Sequence, residues 1–269
     1  MNSSRTAPIT PESAPRQADG DTHDRKHNAE RTKQEILAAA TSEFAEHGLS
    51  GARVDAIAAR TRTTKRMIYY YFGGKEKLYI AVLEKVYADI RAMECALSLG
   101  QLEPEAAVSR LVEATFEYDE AHPEFIRLVT LENIHHARYL AASPAIRDLN
   151  ITAIDTLAAI LERGRALGVF RDGVDPVDVH MLISAFCFFR VSNSATFGAL
   201  FGRDLSAPDL RRSHKQMIAD AVIHLLRRDR EDECSTDFDA PHVAAEQDGQ
   251  QHPQQRDGAP KKRTNRSHR

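Results

Sequence analysis

Basic and tyrosine side chains cluster in residues 53–78 of this 269-residue sequence. The segment holds seven lysines and arginines against two acids, whereas the whole chain has a formal net charge of −3. Guanidinium and ammonium groups donate to phosphate oxygens and to guanine edges, and tyrosine adds a hydroxyl group and an apolar ring. Positive charge concentrated in this way indicates a surface for a polyanion. A solvated amphipathic helix pair is the alternative, but such a pair rarely clusters tyrosines with one sign of charge.

The same segment has the pattern of two short helices joined by a tight turn. Val54, Ile57 and Ala58 recur at helical spacing on the first helix, and residues 61–63 form the turn. Thr64 supplies a hydroxyl N-cap for the second helix. The inward side of this second helix is predicted to consist of Met67, Ile68, Tyr71 and Phe72. An earlier helix, ended by a glycine C-cap, is predicted from Ile36, Leu37, Ala40, Phe44, Ala45 and Gly48.

From Thr32 to Val82 the chain resembles the N-terminal DNA-binding domain of the TetR-type bacterial transcription regulators. The resemblance is carried by ILAAATSEFAEHG (36–48), by VDAIA (54–58) and by TTKRMIYYYFGGKEKLYIAV (63–82). It implies a three-helix domain with a helix-turn-helix. It also implies a homodimer that inserts one third helix per subunit into successive major grooves of a palindromic operator. Most members of the family repress transcription, so repression is the expectation for this chain.

Eight residues are predicted to bind DNA: Arg53, Thr63, Thr64, Lys65, Arg66, Tyr69, Tyr70 and Lys75. Lys65, Arg66 and Tyr70 are expected to face the major groove. Lysine and arginine donate to guanine edges or phosphates, and tyrosine contacts a thymine methyl group or a phosphate.

Phosphate contacts are expected from Thr64, Tyr69 and Lys75. Lys75 begins the fourth helix, where backbone amides and the positive end of the helix dipole favour an anion. Two positions depart from the family pattern: Arg53 stands where Thr or Ser often caps the second helix, and Arg62 where Gly often lies in the turn. An arginine in that turn must either adopt an unfavourable backbone conformation or imply a slightly different turn.

Outside the basic segment, helical periodicity is frequent and strand patterns are scarce. Proline and glycine divide the remainder into predicted helices at 75–97, 104–120, 123–140, 145–166, 175–200 and 208–227. The predicted fold class is therefore all-α, with a small N-terminal helix-turn-helix domain on a larger helical ligand-binding and dimerisation bundle. The predicted divisions are a disordered tail at 1–28, the helix-turn-helix domain at 29–76, the helical domain at 77–228 and a second disordered tail at 229–269.

The last two predicted helices are apolar enough to need a partner. One extends over 175–200 and contains four phenylalanines, and Phe201 follows it directly. The other extends over 208–227. The family resemblance implies that this pair forms a four-helix dimer interface with its symmetry mate. The alternative is that both helices serve only the core of one chain.

The helix predicted at 123–140 is the candidate wall of a ligand pocket, because one face mixes apolar bulk with hydrogen-bonding groups. Asn133 and His136 are alternatively satisfied polar groups at a helix contact. Arg190 lies among apolar neighbours and needs an anion, either a ligand or an acid across the dimer interface. The predicted ligand-binding residues are Ile126, Val129, Thr130, Asn133, His136, Phe186, Arg190 and Asn193.

The strings TKRMIYYYFGGKEKLY and PEFIRLVTLENIHH are also similar to regulators of pyrimidine and nicotinate breakdown, which implies a small heteroaromatic or carboxylated effector. No cofactor is expected. No metal is expected either, because adjacent residues such as His135 and His136 point about 100° apart on a helix and cannot chelate one ion.

An enzyme is not expected, because the sequence has no nucleophile elbow, Walker loop or dinucleotide fingerprint. A nonspecific DNA-binding protein and, less favoured, a cytoplasmic helical enzyme are the alternatives to a regulator. Three widely spaced cysteines fit neither a disulfide framework nor a zinc cluster, and no apolar run suits a signal peptide or a membrane span. These features favour a cytoplasmic location.

Overall fold

The computed structural model describes residues 18–228, with side chains from residue 27 onward, as α-helices joined by short connections. The predicted all-α fold class is confirmed. The helices are α1 (Ala18–Gly51), α2 (Val54–Arg60), α3 (Lys65–Phe72), α4 (Lys75–Ala96), α5 (Pro104–Ala121), α6 (Pro123–Ile134), α7 (Pro144–Ala166), α8 (Pro176–Ser192), α9 (Ser194–Phe201) and α10 (Pro208–Leu226). Single turns of 3₁₀ helix lie at Leu99–Gln101 and Leu140–Ala142.

The two predicted tails lie mainly outside the described residues. Residues 18–28 are the exception, because they form the first turns of α1 rather than a disordered tail. Residues 21–35 contain no proline or glycine, so nothing in the sequence ends the helix before this point. None of the helices within 18–228 combines the length and hydropathy that a membrane crossing needs.

The backbone of α1 is interrupted at Gly48, which has φ 65° and ψ 175°. The predicted C-cap is therefore confirmed, although a further turn follows it. A side chain at this position would stand 3.7 Å from Cδ2 of Leu131, so the interruption lies where α1 meets α6. Glycine suits both demands, since it adopts positive φ without strain and permits close approach.

A buried carboxylate on α1 holds α2 in place. Glu43 is 2% exposed, and one of its oxygens accepts a hydrogen bond of 2.9 Å from the backbone N–H of Arg53. The other carboxylate oxygen lies 3.5 Å from Nη2 of Arg60, at the far end of α2. Arg53 provides no side-chain cap for α2, so Glu43 supplies the missing acceptor from a neighbouring helix.

Helix α3 begins at the predicted cap. The N–H of Met67 donates to the Thr64 hydroxyl at 3.2 Å, which confirms Thr64 as the N-cap. Ile68 is fully buried, and Tyr71 and Phe72 pack against the same core. The prediction that Met67 faces inward is wrong, because its side chain is 37% exposed at the edge of this stripe.

The turn between α2 and α3 places Arg62 in the left-handed region, with φ 52°. Of the two expected outcomes, the unfavourable backbone conformation is the one that the structure adopts. A left-handed conformation costs a residue with a Cβ about 1–2 kcal/mol relative to the right-handed one.

Two apolar cores organise the helices. The first lies under α1, α2, α3 and most of α4, and α6 adds Phe125, Ile126 and Leu128 to it. The second lies between α5, α7, α8 and α10. Because α6 belongs to the first core, the helix-turn-helix packs directly on the helical body. The predicted domain boundary at residue 76 falls inside α4, which serves both parts.

Two helix predictions are wrong in their extent. The helix predicted at 123–140 ends at Ile134, and both His136 and Ala137 have positive φ. Backbone N–H groups farther along bend back to the carboxylate of Glu132 instead of continuing the helix. The helix predicted at 175–200 is divided into α8 and α9 at Asn193, whose φ and ψ are −109° and 9°.

Replacing Arg62 by glycine should stabilise the protein by about 0.5–1 kcal/mol, because relief of the left-handed strain exceeds the extra entropy of glycine in the unfolded chain. Urea unfolding of Arg62→Gly measures this difference. Ala59→Gly, at an exposed helical position of α2, is the matched control and should lower stability by about 0.5–1 kcal/mol. Equal losses in both variants would show that the turn does not strain Arg62.

Candidate DNA-binding surface and effector cavity

The structure leaves most of the predicted DNA-binding side chains open to solvent. Tyr70 is 78% exposed and Tyr69 40% exposed, which is unusual for large aromatic groups. Thr63 and Lys75 are half-buried, and the exposed members of the predicted set are Arg53, Thr64, Lys65, Arg66, Tyr69 and Tyr70. Six of the eight follow one another along the turn and α3, so one short helix presents them.

The charged groups of this surface differ in their partners. Lys65 Nζ donates to a carboxylate oxygen of Asp55 on α2 at 3.1 Å, an exposed pair of the kind that contributes little to stability. Arg66 forms no ion pair within residues 27–228. Lys75 Nζ donates to the backbone carbonyl of Ser50 at 3.2 Å, so its ammonium group also ties the start of α4 to the end of α1.

A cavity of about 220 Å³ lies between α4, α5, α6, α7 and α8. Each of these helices contributes at least one side chain, so the cavity lies inside the helical body rather than on its surface. Its lining residues are Tyr87, Ile90, Arg91, Glu94, Thr115, Asp119, Phe125, Val129, Asn150, His180, Ser184 and Phe188.

Of the predicted ligand-binding residues, only Val129 lines this cavity. Ile126 is 2% exposed in the first core, and the Thr130 hydroxyl donates to the Ile126 carbonyl at 2.8 Å. Asn133 and His136 are exposed and do not line this cavity. The prediction extended one helical face past the true end of α6 at Ile134, and His136 lies in the turn that follows.

The predicted ligand residues of α8 and its C-terminal end also lie elsewhere. Phe186 packs against the second core, and its ring centroid lies 5.9 Å from that of His214. The side-chain amide of Asn193 donates to the hydroxyl of Ser192 at 2.7 Å. Neither side chain lines the central cavity.

Arg190 is buried, at 5% exposed, and it pairs with an acid of its own chain. Its Nη1 donates to Glu120 on α5 at 3.1 Å, its Nη2 donates to the Leu205 carbonyl, and the guanidinium lies 4.4 Å from the centre of the Phe116 ring. Glu120 of the same chain therefore provides a negative charge beside Arg190. Arg190 also lines a more open groove of about 370 Å³, together with Arg211 and Ser206.

The central cavity encloses ionisable groups that are not fully paired. Arg91 is 8% exposed, and its Nη1 donates to Glu94 at 2.7 Å. Its buried Nε has no hydrogen-bond partner in the part of the chain that the structure describes. Asp119 is 4% exposed, and burial raises the pKa of its carboxyl group to about 7, although the charge of Arg91 opposes the rise. Burial lowers the pKa of His180, and Arg91 adds to the effect.

Aromatic and small polar groups form the remaining walls. The rings of Tyr87 and Phe125 meet edge to face with centroids 5.5 Å apart, and Phe188 lies on α8. Ser184 Oγ is 3.4 Å from Nε2 of His180. Such walls accommodate a planar ring and leave a few polar groups to orient it.

The sequence does contain a signal for this cavity on α4. Tyr87, Arg91 and Glu94 are spaced at i, i+4 and i+7, which places a charged pair on one helical stripe between apolar residues. The acid of the second wall, Asp119, follows Tyr118 near the end of α5, among other acids. Neither segment was predicted to bind a ligand, because i,i+3 Arg–Glu pairs are common on exposed helix faces.

A second buried carboxylate joins the cavity wall α6 to α4. Glu132 on α6 is 1% exposed and accepts hydrogen bonds from the Tyr79 hydroxyl at 2.9 Å and from the N–H groups of Tyr139 and Leu140, each at 3.1 Å. Tyr79 lies near the start of α4, and its ring meets Phe44 of α1 edge to face at 5.1 Å. Burial and the Glu132 carboxylate raise the pKa of Tyr79, so its hydroxyl remains a donor.

Glu132 shares its helical face with the cavity wall. Phe125, Val129 and Glu132 lie at i, i+4 and i+7 on α6, so one stripe passes from the cavity to the bond with Tyr79. Along α4, Arg91 lies at the cavity and Tyr79 three turns nearer to α3. Both helices pack on α1, and they meet each other at the Tyr79–Glu132 hydrogen bond and at the contact between the rings of Tyr87 and Phe125.

The two parts of this structure correspond to two known families of domain. Residues 36–82 match the family described as "Bacterial regulatory proteins, tetR family". Residues 104–222 match the family described as "Tetracyclin repressor-like, C-terminal domain". The first match covers the helix-turn-helix, and the second covers α5 to most of α10, including four of the five helices around the cavity.

Solved structures share this fold. A putative transcriptional regulator from Streptomyces coelicolor, SCO4942, superimposes with a TM-score of 0.55 at 29% identity, covering 72% of this chain and 98% of that one. The ketosteroid transcriptional regulator KstR2 of Mycobacterium tuberculosis has a TM-score of 0.55 at 22% identity, over 73% of this chain and 95% of that one.

Curated relatives extend the comparison over most of the described residues. The HTH-type transcriptional repressor SCO4008 of Streptomyces coelicolor is 33% identical over 162 residues, which are 60% of this chain and 79% of that protein. The HTH-type transcriptional repressor NicS of Pseudomonas putida is 36% identical over 204 residues, covering 76% of this chain and 96% of the relative. At this identity and coverage, the chain belongs to the TetR family of bacterial transcription regulators, as a ligand-responsive, DNA-binding repressor.

Proposed function

We propose that the chain represses transcription as a homodimer bound to a palindromic operator, and that a small heteroaromatic or carboxylated effector in the central cavity releases it. The observation that carries this proposal is the sharing of α4: Arg91 at one end lines the cavity, and Lys75 at the other follows the recognition helix. A helix common to both sites gives an effector a physical route to the operator. We propose a cytoplasmic location, no cofactor or metal, and no enzymatic activity.

On the operator, the exposed face of α3 enters the major groove. Arg66 carries no ion pair within residues 27–228, so its guanidinium is available to a guanine edge, and Lys65 exchanges a weak exposed pair with Asp55 for the nucleic acid. Tyr70 completes the groove-facing set. Phosphates are held by Thr64, Tyr69, Lys75, Arg53 and Thr63.

The dimer forms through apolar stripes that one chain leaves uncovered. Val177, Met181 and Phe189 lie at intervals of four or eight residues on α8 and are 53%, 63% and 48% exposed. Met217 and Leu225 on α10 are 48% and 40% exposed, and α8 and α10 contact each other. A two-fold axis would pair this surface with its own copy, and two recognition helices could then reach successive grooves of a palindrome.

The same two helices also serve the core of one chain. Val179 and Ile183 of α8 and Ile218 and Val222 of α10 are buried in the second core. Each helix therefore has one apolar face inside the chain and another outside it. The core alone accounts for the first face, and the dimer accounts for the second.

The effector acts by changing the position of α4 relative to α6. In the structure these helices are joined by Tyr79 and Glu132, and the same carboxylate holds the turn after α6. A ligand that moves either cavity wall changes the geometry around this bond. The first core would transmit the change to α1 and the recognition helix, and the spacing of the two recognition helices in the dimer would change with it.

Selection of DNA fragments tests the function directly. The purified protein is mixed with sheared DNA of its own genome at near-physiological salt, and the bound fragments are sequenced. We expect a few palindromic promoter sites. Uniform recovery would contradict the proposal in favour of nonspecific binding, and no recovery would favour an enzyme.

Variants of the recognition helix make this selection residue-specific. Lys65→Ala and Arg66→Ala should each weaken binding to a selected fragment by about 10- to 100-fold, the loss expected for one base or phosphate contact of this kind. Arg147→Ala, which removes an exposed arginine of α7, is the matched control and should bind normally. Equal affinities for all three variants would exclude α3 as the recognition helix.

Sedimentation measurements test the dimer. The unaltered protein should sediment as a dimer, and Phe189→Asp should sediment as a monomer, because an aspartate within the stripe would have to be buried without a partner. Ile151→Asp replaces another exposed apolar residue, on α7 outside the two stripes, and should leave the dimer intact. A monomeric unaltered protein would refute the homodimer.

A further inference from the structure

We infer that the central cavity binds a single-ring aromatic monocarboxylate, and that the ligand enters together with one proton held on Asp119. This inference rests on the proposed function, because it names the chemical class of the effector in that cavity. It is carried by the hydrogen-bonding state of Arg91, by the size and walls of the cavity, and by the balance of charge inside it.

Arg91 supplies the reason for a carboxylate. Its guanidinium is 8% exposed and lines the cavity, yet only Nη1 is used, in the bond to Glu94. Its Nε is buried and lacks an acceptor in the described chain. A buried donor without a partner is unfavourable, and planar oxyanions are the acceptors that a guanidinium fork binds best.

The size and walls of the cavity indicate one aromatic ring. Its volume of about 220 Å³ lies below the range of roughly 300–1,000 Å³ that is usual for drug-sized ligands. Tyr87, Phe125 and Phe188 provide three rings around this space. Aromatic side chains favour edge-to-face or offset contacts with a further ring, so a planar ligand has a defined orientation there.

The charged groups already in the cavity disfavour the binding of a ligand carboxylate unless a proton is taken up with it. Glu94 already balances Arg91 at 2.7 Å, and burial keeps the pKa of His180 low, so His180 adds no positive charge. A ligand carboxylate beside an ionised Asp119 would place three negative charges around one arginine. When several carboxylates share a small site, protonation of one of them relieves the repulsion.

Asp119 is the group placed to take this proton. No hydrogen bond reaches its carboxyl group from within residues 27–228, and it lines the cavity. The ionisable groups that act on it are Arg91 and Glu94 from α4, with His180 and Cys187 facing it from α8. Burial raises the pKa of the Cys187 thiol to about 12, so this group stays neutral. A protonated Asp119 becomes a donor to the ligand.

The direction of the pH dependence follows from this arrangement. The pKa of Asp119 is about 7 in the empty cavity, and a nearby ligand carboxylate raises it further. Well below pH 7 the proton is already present, so the dissociation constant is nearly independent of pH. Above pH 7 the proton must be taken up on binding, and the dissociation constant rises by up to about tenfold per pH unit. The ligand itself stays ionised throughout, since carboxylic acids titrate near about pH 4.

Isothermal titration of the full chain tests both parts of the inference. The probes are benzoate and the three pyridine monocarboxylates, each compared with its carboxamide, between pH 6 and 9 in buffers of different ionisation enthalpy. At least one acid should bind about tenfold or more tightly than its amide, with uptake of up to one proton above pH 7. An amide that binds as tightly as its acid would overturn the carboxylate, and affinity independent of pH would overturn the proton.

Variants assign the two groups. Asp119→Asn should still bind the acid but lose the pH dependence and the proton uptake, whereas Glu113→Gln, at a half-buried site of the same helix outside the cavity, should retain both. Arg91→Met should weaken the acid far more than the amide, with operator binding as the check that the variant folds. An unchanged pH profile in Asp119→Asn would contradict the assignment.

Failure of the inference is distinguishable from failure of the proposed function. If no acid of the panel binds at millimolar concentration while the protein still selects its operator, the inference is wrong and the repressor stands. If the protein selects no operator, the proposed function is wrong and the inference loses its basis.

Discussion

One buried carboxylate connects the parts of this chain that must act together. Glu132 lies on the helix that forms a cavity wall, and it accepts from a tyrosine of α4 and from two backbone N–H groups of the turn after α6. A charge buried to this extent is tolerated only while its hydrogen bonds are made. The bonds around Glu132 therefore fix the end of α6, the start of α4 and the position of Tyr79 against α1. A displacement of one of these three elements changes the positions of the other two.

The same device appears twice in the N-terminal part of the molecule. Glu43 secures α2 to α1 as Glu132 secures α6 to α4, and both carboxylates are almost fully buried. Between them lies the first apolar core, in which α6 packs against the helices that hold the recognition helix. The cavity lies at the other end of α4 and α6. A small change in its walls is consequently transmitted through packed helices and not through a loop, which suits a two-state response.

Local features of the sequence predicted much of this architecture, because local chemistry determines them. The Thr64 cap, the Gly48 interruption and the strained Arg62 follow from nearest neighbours and from backbone preference. The cavity could not be predicted in this way, because its walls come from five helices and sequence periodicity does not determine how those helices pack against one another. His136 was placed on α6 because the end of this helix has no helix breaker; backbone N–H groups of Tyr139 and Leu140 bond to the Glu132 carboxylate instead of continuing the helix. Arg190 finds its partner in Glu120, which lies 70 positions away in the sequence and gives no local signal.

The most direct test of this account is a thermodynamic cycle measured on matched tyrosine variants. Operator affinity is determined with and without the tightest-binding aromatic carboxylate, and the affinity for that carboxylate with and without the operator. In the unaltered protein the two factors must be equal. Tyr79→Phe removes the bond to Glu132, whereas Tyr139→Phe removes a hydroxyl that makes no hydrogen bond within residues 27–228. The account predicts that Tyr79→Phe reduces the coupling several-fold while Tyr139→Phe preserves it; undiminished coupling in Tyr79→Phe would contradict the account.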